Sequence, residues 1–125
     1  MWEVSGEEKE KISEVSEGRL FHTNHCIGEK VKKHESEISG NSTTQDRYRL
    51  ADKKINDVNS FSELKSFFSD HEGYPKSLCS HFEADVTDPS STCGGFIGDL
   101  DSGEVVFWRG CREYDSDFFE RKFIY

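Results

Sequence analysis

Four side chains that can do chemistry lie close together in segment 20–26. They are the imidazoles of His22 and His25, the carboxamide of Asn24 and the thiol of Cys26. The whole chain holds only five His and four Cys, so this density is unusual. A carboxamide can donate a hydrogen bond to a developing oxyanion, a thiol can attack a carbonyl, and imidazole and thiolate groups bind zinc. The segment therefore predicts an amide or thiol site, or a metal site.

A strand over 18–26 is predicted to position these groups, because side chains alternate between the two faces of extended backbone. One face would carry Leu20, His22, Asn24 and Cys26, and the other Phe21, Thr23 and His25. In this arrangement His22 and Asn24 can act together. His25 would point away from them.

Upstream, residues 2–4 are expected to be a short strand, and the charged run 7–17 a turn followed by a second short extended piece. The polar stretch 28–40 has no periodicity and is predicted to be an exposed loop.

Two helices are predicted in the middle of the chain. The first starts near 43–46 and has apolar residues at helical spacing, namely Tyr48, Ala51, Ile55 and Val58. The second starts at Ser60, which forms a capping box with Glu63, and ends near 71–73. An extended segment at 77–82 follows. Strand-like runs at 92–100 and 104–109 flank a hairpin turn at 101–103, where Gly103 allows a positive φ.

The composition limits the classes of partner. The 125 residues suit a single domain, with a formal charge of -9. That charge argues against a nucleic acid or an anionic membrane as the partner. The apolar share is only 33%, but ten Phe, four Tyr and two Trp predict an aromatic-rich core. No apolar run approaches the length of a membrane span, and residues 1–10 lack the pattern of a secretory signal. Reduced thiols are therefore expected.

Four motifs occur in the order found in one known family. They are His22-Thr23-Asn24-His25, Thr43-Thr44-Gln45-Asp46-Arg47-Tyr48, the run 70–81 (DHEGYPKSLCSH) and the closing hairpin. On these motifs the chain resembles the acyl-coenzyme A:isopenicillin N acyltransferase family, whose members are cysteine-type N-terminal nucleophile hydrolases. The resemblance covers roughly residues 2–110 and matches only the C-terminal part of a family member.

The resemblance implies an α/β (α+β) fold, as part of a four-layer αββα sandwich with mainly antiparallel strands and two helices. It implies Asn24 as the donor to the oxyanion and Arg47 as a residue that organises the nucleophile. His22 and Thr23 would line the substrate site. The substrate would be a small acyl-amide or acyl-thioester, and acyl-coenzyme A can serve as one. No cofactor and no metal are expected.

The family nucleophile is a cysteine upstream of the HTNH motif, activated by its own α-amino group. This chain begins with Met1-Trp2, so we expect it to lack the nucleophile and to be inactive without a complementary N-terminal chain. The Gly110-Cys111 dipeptide imitates a self-cleavage site, but cleavage there would leave only 111–125. Cys111 is therefore expected to be a buried or loop cysteine.

Two alternatives remain open. The chain can be a noncatalytic binding or regulatory subunit that pairs with a complementary half through exposed strand edges. It can also be a metal-binding module, whose potential ligands are His22, His25, Cys26, Cys79 and His81. The spacing of these residues fits no usual zinc motif, and strand alternation would separate His22 from His25.

Overall fold

The computed structural model describes residues 1–14, 18–36, 42–81 and 91–125. The strands are β1 (Trp2–Ser5), β2 (Glu8–Lys11), β3 (Gly94–Asp99), β4 (Glu104–Arg109) and β5 (Phe119–Ile124). The helices are α1 (Glu29–Lys32), α2 (Thr44–Lys54), a 3₁₀ turn (Ile55–Asp57) and α3 (Phe61–Phe68).

The chain opens with an antiparallel hairpin in which Trp2 of β1 lies opposite Lys11 of β2. This confirms the predicted strand at 2–4 and the second short extended piece. The prediction of a loop over 28–40 is wrong in part, because α1 lies within it and packs against the hairpin. Val31 anchors that helix and is fully buried. Residues 37–41 lie outside the described part of the chain.

Helix α2 confirms the first predicted helix, and its first residue is Thr44. Of the predicted apolar positions, Ala51 is buried, and Tyr48 is half-buried within the helix. Ile55 already belongs to the 3₁₀ turn, so the tighter winding ends the 3.6-residue repeat there.

Helix α3 confirms the predicted capping box. The Ser60 hydroxyl accepts a hydrogen bond from the Glu63 amide at 3.2 Å, and the Glu63 carboxylate accepts one from the Asn59 amide at 2.8 Å. The helix ends at Phe68, a few residues before the predicted 71–73. Residues 76–81 are bends and irregular backbone, so the predicted extended segment forms no strand there; Phe82 lies outside the described residues.

The second sheet has the antiparallel order β3-β4-β5. The predicted hairpin is confirmed, with Gly103 in the turn at a φ of +72°. Strand β5 was not predicted. It pairs with β4 along its full length, from Phe119 opposite Arg109 to Ile124 opposite Glu104.

The two faces of this sheet differ sharply. Cross-strand partners share a face, so Ile97 and Val106 lie on one side, where both are buried. Helix α3 covers this side. The Phe68 ring is 6.3 Å from that of Trp108, and the Lys65 ammonium lies 2.6 Å from the Glu120 carboxylate.

The opposite face, here called the aromatic face, is defined by Phe96, Phe107, Phe119 and Phe123. Phe107 stacks on Phe123 with ring centroids 5.6 Å apart. Phe96 is 77% exposed and Phe123 is 47% exposed. The sheet therefore has one packed side and one aromatic side open to solvent.

The prediction of an aromatic-rich core is wrong for the described residues. Their buried hydrophobic side chains are Val31, Ala51, Phe67, Cys79, Ile97, Val106 and Cys111. Phe67 is the one aromatic residue among them. Many of the remaining aromatic rings lie on the aromatic face or near the chain ends, where Phe96, Phe123 and Tyr125 are exposed.

The fold is a mixed α+β arrangement with two antiparallel sheets, as expected from the sequence at this coarse level. In the described part of the chain, no helix is long and apolar enough to cross a membrane.

Replacing the capping residue of α3 should destabilise the chain. We expect Ser60→Ala to lower the free energy of unfolding by about 1 kcal/mol, because the Glu63 amide loses its acceptor. Urea denaturation measures this loss. The control is Ser62→Ala, an exposed serine in the first turn of the same helix. Equal losses for both variants would contradict a capping role for Ser60.

Candidate functional site

The segment that carries the HTNH motif is a loop, and the prediction of a strand over 18–26 is wrong. Side chains, and not a neighbouring strand, accept hydrogen bonds from its backbone. The Glu3 carboxylate accepts from the amides of Ile27 at 2.9 Å and Gly28 at 2.7 Å. Since these acceptors replace the hydrogen-bond ladder of a sheet, the expected alternation of faces does not apply.

Thr44, at the start of α2, holds the middle of this loop. Its hydroxyl accepts a hydrogen bond from the backbone amide of Asn24 at 2.8 Å, and its backbone carbonyl accepts one from the Thr23 hydroxyl at 3.1 Å. Thr44 is almost completely buried. Thr44 therefore docks the HTNH loop onto the first turn of α2.

Asn24 and Arg47, the two residues predicted to be catalytic, are in direct contact. The Arg47 Nη2 atom donates to the Asn24 Oδ1 atom at 2.9 Å, and the Arg47 Nε atom donates to the Thr43 hydroxyl at 3.3 Å. This bond orients the carboxamide with Oδ1 towards Arg47 and Nδ2 away from it. Within the described residues Asn24 Nδ2 donates to no other group, and the side chain is exposed. The amide is thus presented as a hydrogen-bond donor.

His22 and Thr23, predicted to line the substrate site, contact the protein itself. The His22 Nε2 atom lies 2.5 Å from the Glu3 carboxylate. The Thr23 hydroxyl is near His25 Nδ1 at 3.1 Å, in addition to its bond to Thr44. Both side chains therefore stabilise the conformation of the loop through these contacts.

His25 packs inward instead of lying on a free strand face. Its Nδ1 atom is 3.2 Å from the Thr44 hydroxyl, and its ring meets the Tyr48 ring edge-on at 5.5 Å. Burial lowers the pKa of His25, which favours the neutral imidazole. The expectation that His25 is structural is therefore consistent with its contacts, although the strand on which it rested is absent.

Cys26 is unsuited to be a nucleophile in this structure. Burial and then the nearby carboxylates of Glu35 and Glu3 raise the pKa of its thiol. The thiolate, which is the reactive form, is thereby disfavoured. The Cys26 amide donates to the Glu35 carboxylate at 2.7 Å, so this residue also closes the loop.

Side chains of the hairpin approach the backbone closely at Gly28, at the end of the loop. A Cβ atom on Gly28 would lie 2.5 Å from both the Glu10 carboxylate and the Ile12 side chain. The carboxylates of Glu3 and Glu10 accept from the amides of Gly28 and Lys30, the first free donors of α1. The hairpin is thus connected directly to the loop and to α1.

A second group of reactive side chains was missed as a unit by sequence reasoning. Potential ligand atoms of His71, Cys79, His81 and Cys111 all lie within 4.8 Å of one another. The metal set considered from the sequence does not assemble, since Cys79 and His81 join this second group. His22 and His25 lie elsewhere, with ring centroids 6.5 Å apart. Cys111 is buried, as expected.

The environment of the cluster disfavours the charged form of the Cys79 thiol. Burial and then the neighbouring Cys111 raise its pKa to about 12. In the sequence, this cluster was indicated only by the Cys-x-His spacing of 79–81 and by His71, for which no role was predicted.

Comparisons with known proteins add no identification. The chain matches no protein-family model, and no curated protein matches it significantly. The family resemblance therefore stays a prediction that depends on the four motifs.

We expect Glu3→Gln to destabilise the protein at pH 7 by about 1 to 3 kcal/mol, because a neutral amide cannot satisfy both backbone donors and His22. Burial alone would raise the pKa of Glu3, but these hydrogen bonds hold it below 4.5. A lowered pKa stabilises the fold above the unfolded pKa, and this stabilisation is lost as the pH falls through the folded pKa.

The measurement is the free energy of unfolding in urea at several values between pH 7 and pH 3. The difference between wild type and Glu3→Gln should begin to shrink near pH 4.5, the ordinary pKa of a glutamate, and should shrink further as the pH falls through the lower folded pKa, where the Glu3 carboxylate becomes protonated. The exposed Glu7→Gln variant is the control and should change little. A difference that is constant across this range would show that the charge of Glu3 is unimportant.

Proposed function

We propose that this chain supplies the oxyanion-stabilising part of an acyltransferase or amidase site. The substrate class is an acyl-amide or acyl-thioester, and the nucleophilic cysteine comes from a complementary N-terminal segment. Asn24 donates to the oxyanion through Nδ2. Arg47 orients Asn24 and adds positive charge beside it.

The observation that carries this proposal is the hydrogen bond from Arg47 Nη2 to Asn24 Oδ1 at 2.9 Å. It joins two residues that are 23 positions apart and that were chosen from the sequence for one reaction. An oxyanion donor must be fixed before the reaction, because reorientation in the transition state would cost part of the stabilisation. The bonds of Arg47 to Asn24 and Thr43 supply that fixation.

A complementary segment is invoked because Cys26, which is next to the site, and Cys111 both lack the features of a nucleophile. The pKa of Cys26 is raised, and Cys111 is buried in the second cluster. The family reaction uses a cysteine whose own α-amino group is the base. A segment that begins at such a cysteine would bring both groups together.

The aromatic face supports the same proposal. In a four-layer αββα sandwich, each sheet has helices on one side and the other sheet on the opposite side. Here α3 covers one side of the β3-β4-β5 sheet, and the other carries Phe96, Phe119 and Phe123. This pattern is what half of such a sandwich would present to a second sheet packed about 10 Å away.

A second candidate function is a noncatalytic subunit that binds a complementary half without contributing to the reaction. The aromatic face favours it equally, whereas the Arg47–Asn24 pair has no role in it. The effect of Asn24 on turnover separates the two candidates.

The test of catalysis uses this chain fused to the N-terminal half of an isopenicillin N acyltransferase-type enzyme that begins at its nucleophilic cysteine. The chain alone should show no turnover of acyl-coenzyme A or acyl-amide substrates. The fusion should show turnover, and Asn24→Ala should lower kcat by about 10² to 10³, as loss of one oxyanion donor does. Thiol release or amine release measures the rate.

Two controls separate chemistry from folding. Asn56→Ala removes an exposed asparagine of the 3₁₀ turn and should leave kcat unchanged. His25→Ala should lower the denaturation midpoint but keep turnover per folded molecule within a few fold. An Asn24→Ala fusion that keeps wild-type kcat would favour the noncatalytic subunit.

The test of the sandwich uses the same N-terminal half as a separate chain. Phe96→Lys should weaken the association at least tenfold, because a charge would be buried between the sheets. Leu100→Lys, at the 98% exposed tip of the hairpin, is the matched control and should leave the affinity unchanged. Isothermal titration calorimetry measures both. Unaltered binding of Phe96→Lys would place the interface elsewhere.

A further inference from the structure

The second cluster joins three separate segments of the chain. His71 lies in the turn after α3, Cys79 and His81 lie in the bends that follow, and Cys111 comes directly after β4. Two thiols and two imidazoles therefore meet in one place. We infer that these four side chains form a structural zinc site of the Cys₂His₂ type.

The distances are close to those of a bound metal. In tetrahedral zinc, bond lengths of about 2.3 Å to sulfur and about 2.0 Å to nitrogen place ligand atoms about 3.3 to 3.8 Å apart. The Cys111 Sγ atom is 3.4 Å from the His71 Nε2 atom, and all four ligand atoms lie within 4.8 Å of one another. Shifts of about 1 Å or less would complete the tetrahedron.

The ligand types select the metal. Two thiolates and two imidazoles in a tetrahedron favour zinc over magnesium or calcium, which prefer oxygen. Two thiolates also neutralise the charge of Zn²⁺, so the bound site is electrically neutral. A net charge would be costly at this position because Cys79 and Cys111 are only 3% and 4% exposed.

Glu113 supplies the partner that a zinc-binding histidine usually has. Its carboxylate lies 3.4 Å from His71 Nδ1, on the side of the ring away from the Nε2 contact with Cys111. A proton on Nδ1 would then leave the Nε2 lone pair directed at the cluster. Tyr114 packs on the imidazoles of His71 and His81, at 5.2 and 4.1 Å between centroids.

The local backbone holds the ligands in place without the metal. The Cys79 amide donates to the Asp70 carbonyl at 3.0 Å, and the Thr92 amide donates to the Ser80 carbonyl at 2.9 Å. Gly110, at a φ of +73°, turns the chain so that the Cys111 amide donates to the Asp115 carboxylate at 2.5 Å. All four zinc positions are taken by protein, so the role is structural and not catalytic.

The first experiment measures metal content. The full chain, purified under reducing conditions after growth with zinc and without chelators, should contain one equivalent of zinc by plasma mass spectrometry. Cys79→Ser and Cys111→Ser should each lose most of it. Cys93→Ser, at an exposed cysteine close in sequence, is the matched control and should keep one equivalent.

Cobalt replacement tests the ligand set directly. The cobalt form should show thiolate-to-metal charge transfer and the intense visible bands of a tetrahedral site. Cys79→Ser and Cys111→Ser should each weaken the charge-transfer band, and the double variant should remove it.

A further variant tests the inference even if the cysteine variants misfold. Glu113 is exposed, so Glu113→Gln should fold normally but bind zinc about 10- to 100-fold more weakly in a chelator competition. The exposed Glu7→Gln variant should bind like wild type.

Three outcomes would overturn the inference. The first is a reduced chain that binds no zinc in titration. The second is a Cys79–Cys111 disulfide, found by mass spectrometry, in the native protein. The third is zinc retained by the Cys79→Ser/Cys111→Ser double variant.

Discussion

The carboxylate of Glu3 is the group on which the candidate site depends. A carboxylate that is 9% exposed has lost much of its hydration, and such a group is stable only when hydrogen bonds replace the lost water. Here the replacements are the amides of Ile27 and Gly28 and the ring of His22. All three belong to the HTNH loop or its end, so a residue of β1 determines where that loop lies. Without the Glu3 carboxylate, the backbone amides of Ile27 and Gly28 would lose their hydrogen-bond acceptor within the protein.

The proposed function requires a second layer over the site, and two independent features of the structure bear on that requirement. Asn24 is exposed, and a single hydrogen bond to a water-covered oxyanion contributes little because water competes for it. The donor becomes valuable only when another segment excludes water from the site. The aromatic face also needs a cover, because three large rings are left in solvent on one side of the sheet. A complementary sheet would serve both needs, which is why the catalytic proposal and the noncatalytic-subunit proposal share one structural prediction.

Elements with strong local signals were predictable from the sequence. The Ser60 capping box and the hairpin turn at Gly103 depend on residues within a few positions, and both are found where expected. Segment 18–26 was mistaken for a strand because its alternating side chains resemble one, while the side chains that shape it, Glu3 and Thr44, are about 20 residues away. The cluster around Cys79 is likewise tertiary in origin. Its fourth ligand, Cys111, is 32 positions along the chain from Cys79.

Helix α2 contacts the surroundings of both candidate sites. Its first turn holds the HTNH loop through Thr44 and Arg47. Its last turn reaches the segment of the zinc ligands, where Lys54 pairs with Asp70 and lies 2.7 Å from the Glu72 carboxylate.

The strength of these contacts decides how far zinc could influence Asn24. Lys76, which pairs with Asp46 of α2 at 3.0 Å, is 61% exposed, and exposed ion pairs contribute at most about 1 kcal/mol. The Lys54–Asp70 pair is less exposed, and the Asp70 carbonyl also holds the Cys79 amide, so it is the stronger connection. Zinc would therefore stabilise the α3 end of the fold directly. It would act on the Asn24–Arg47 pair only through α2, and weakly.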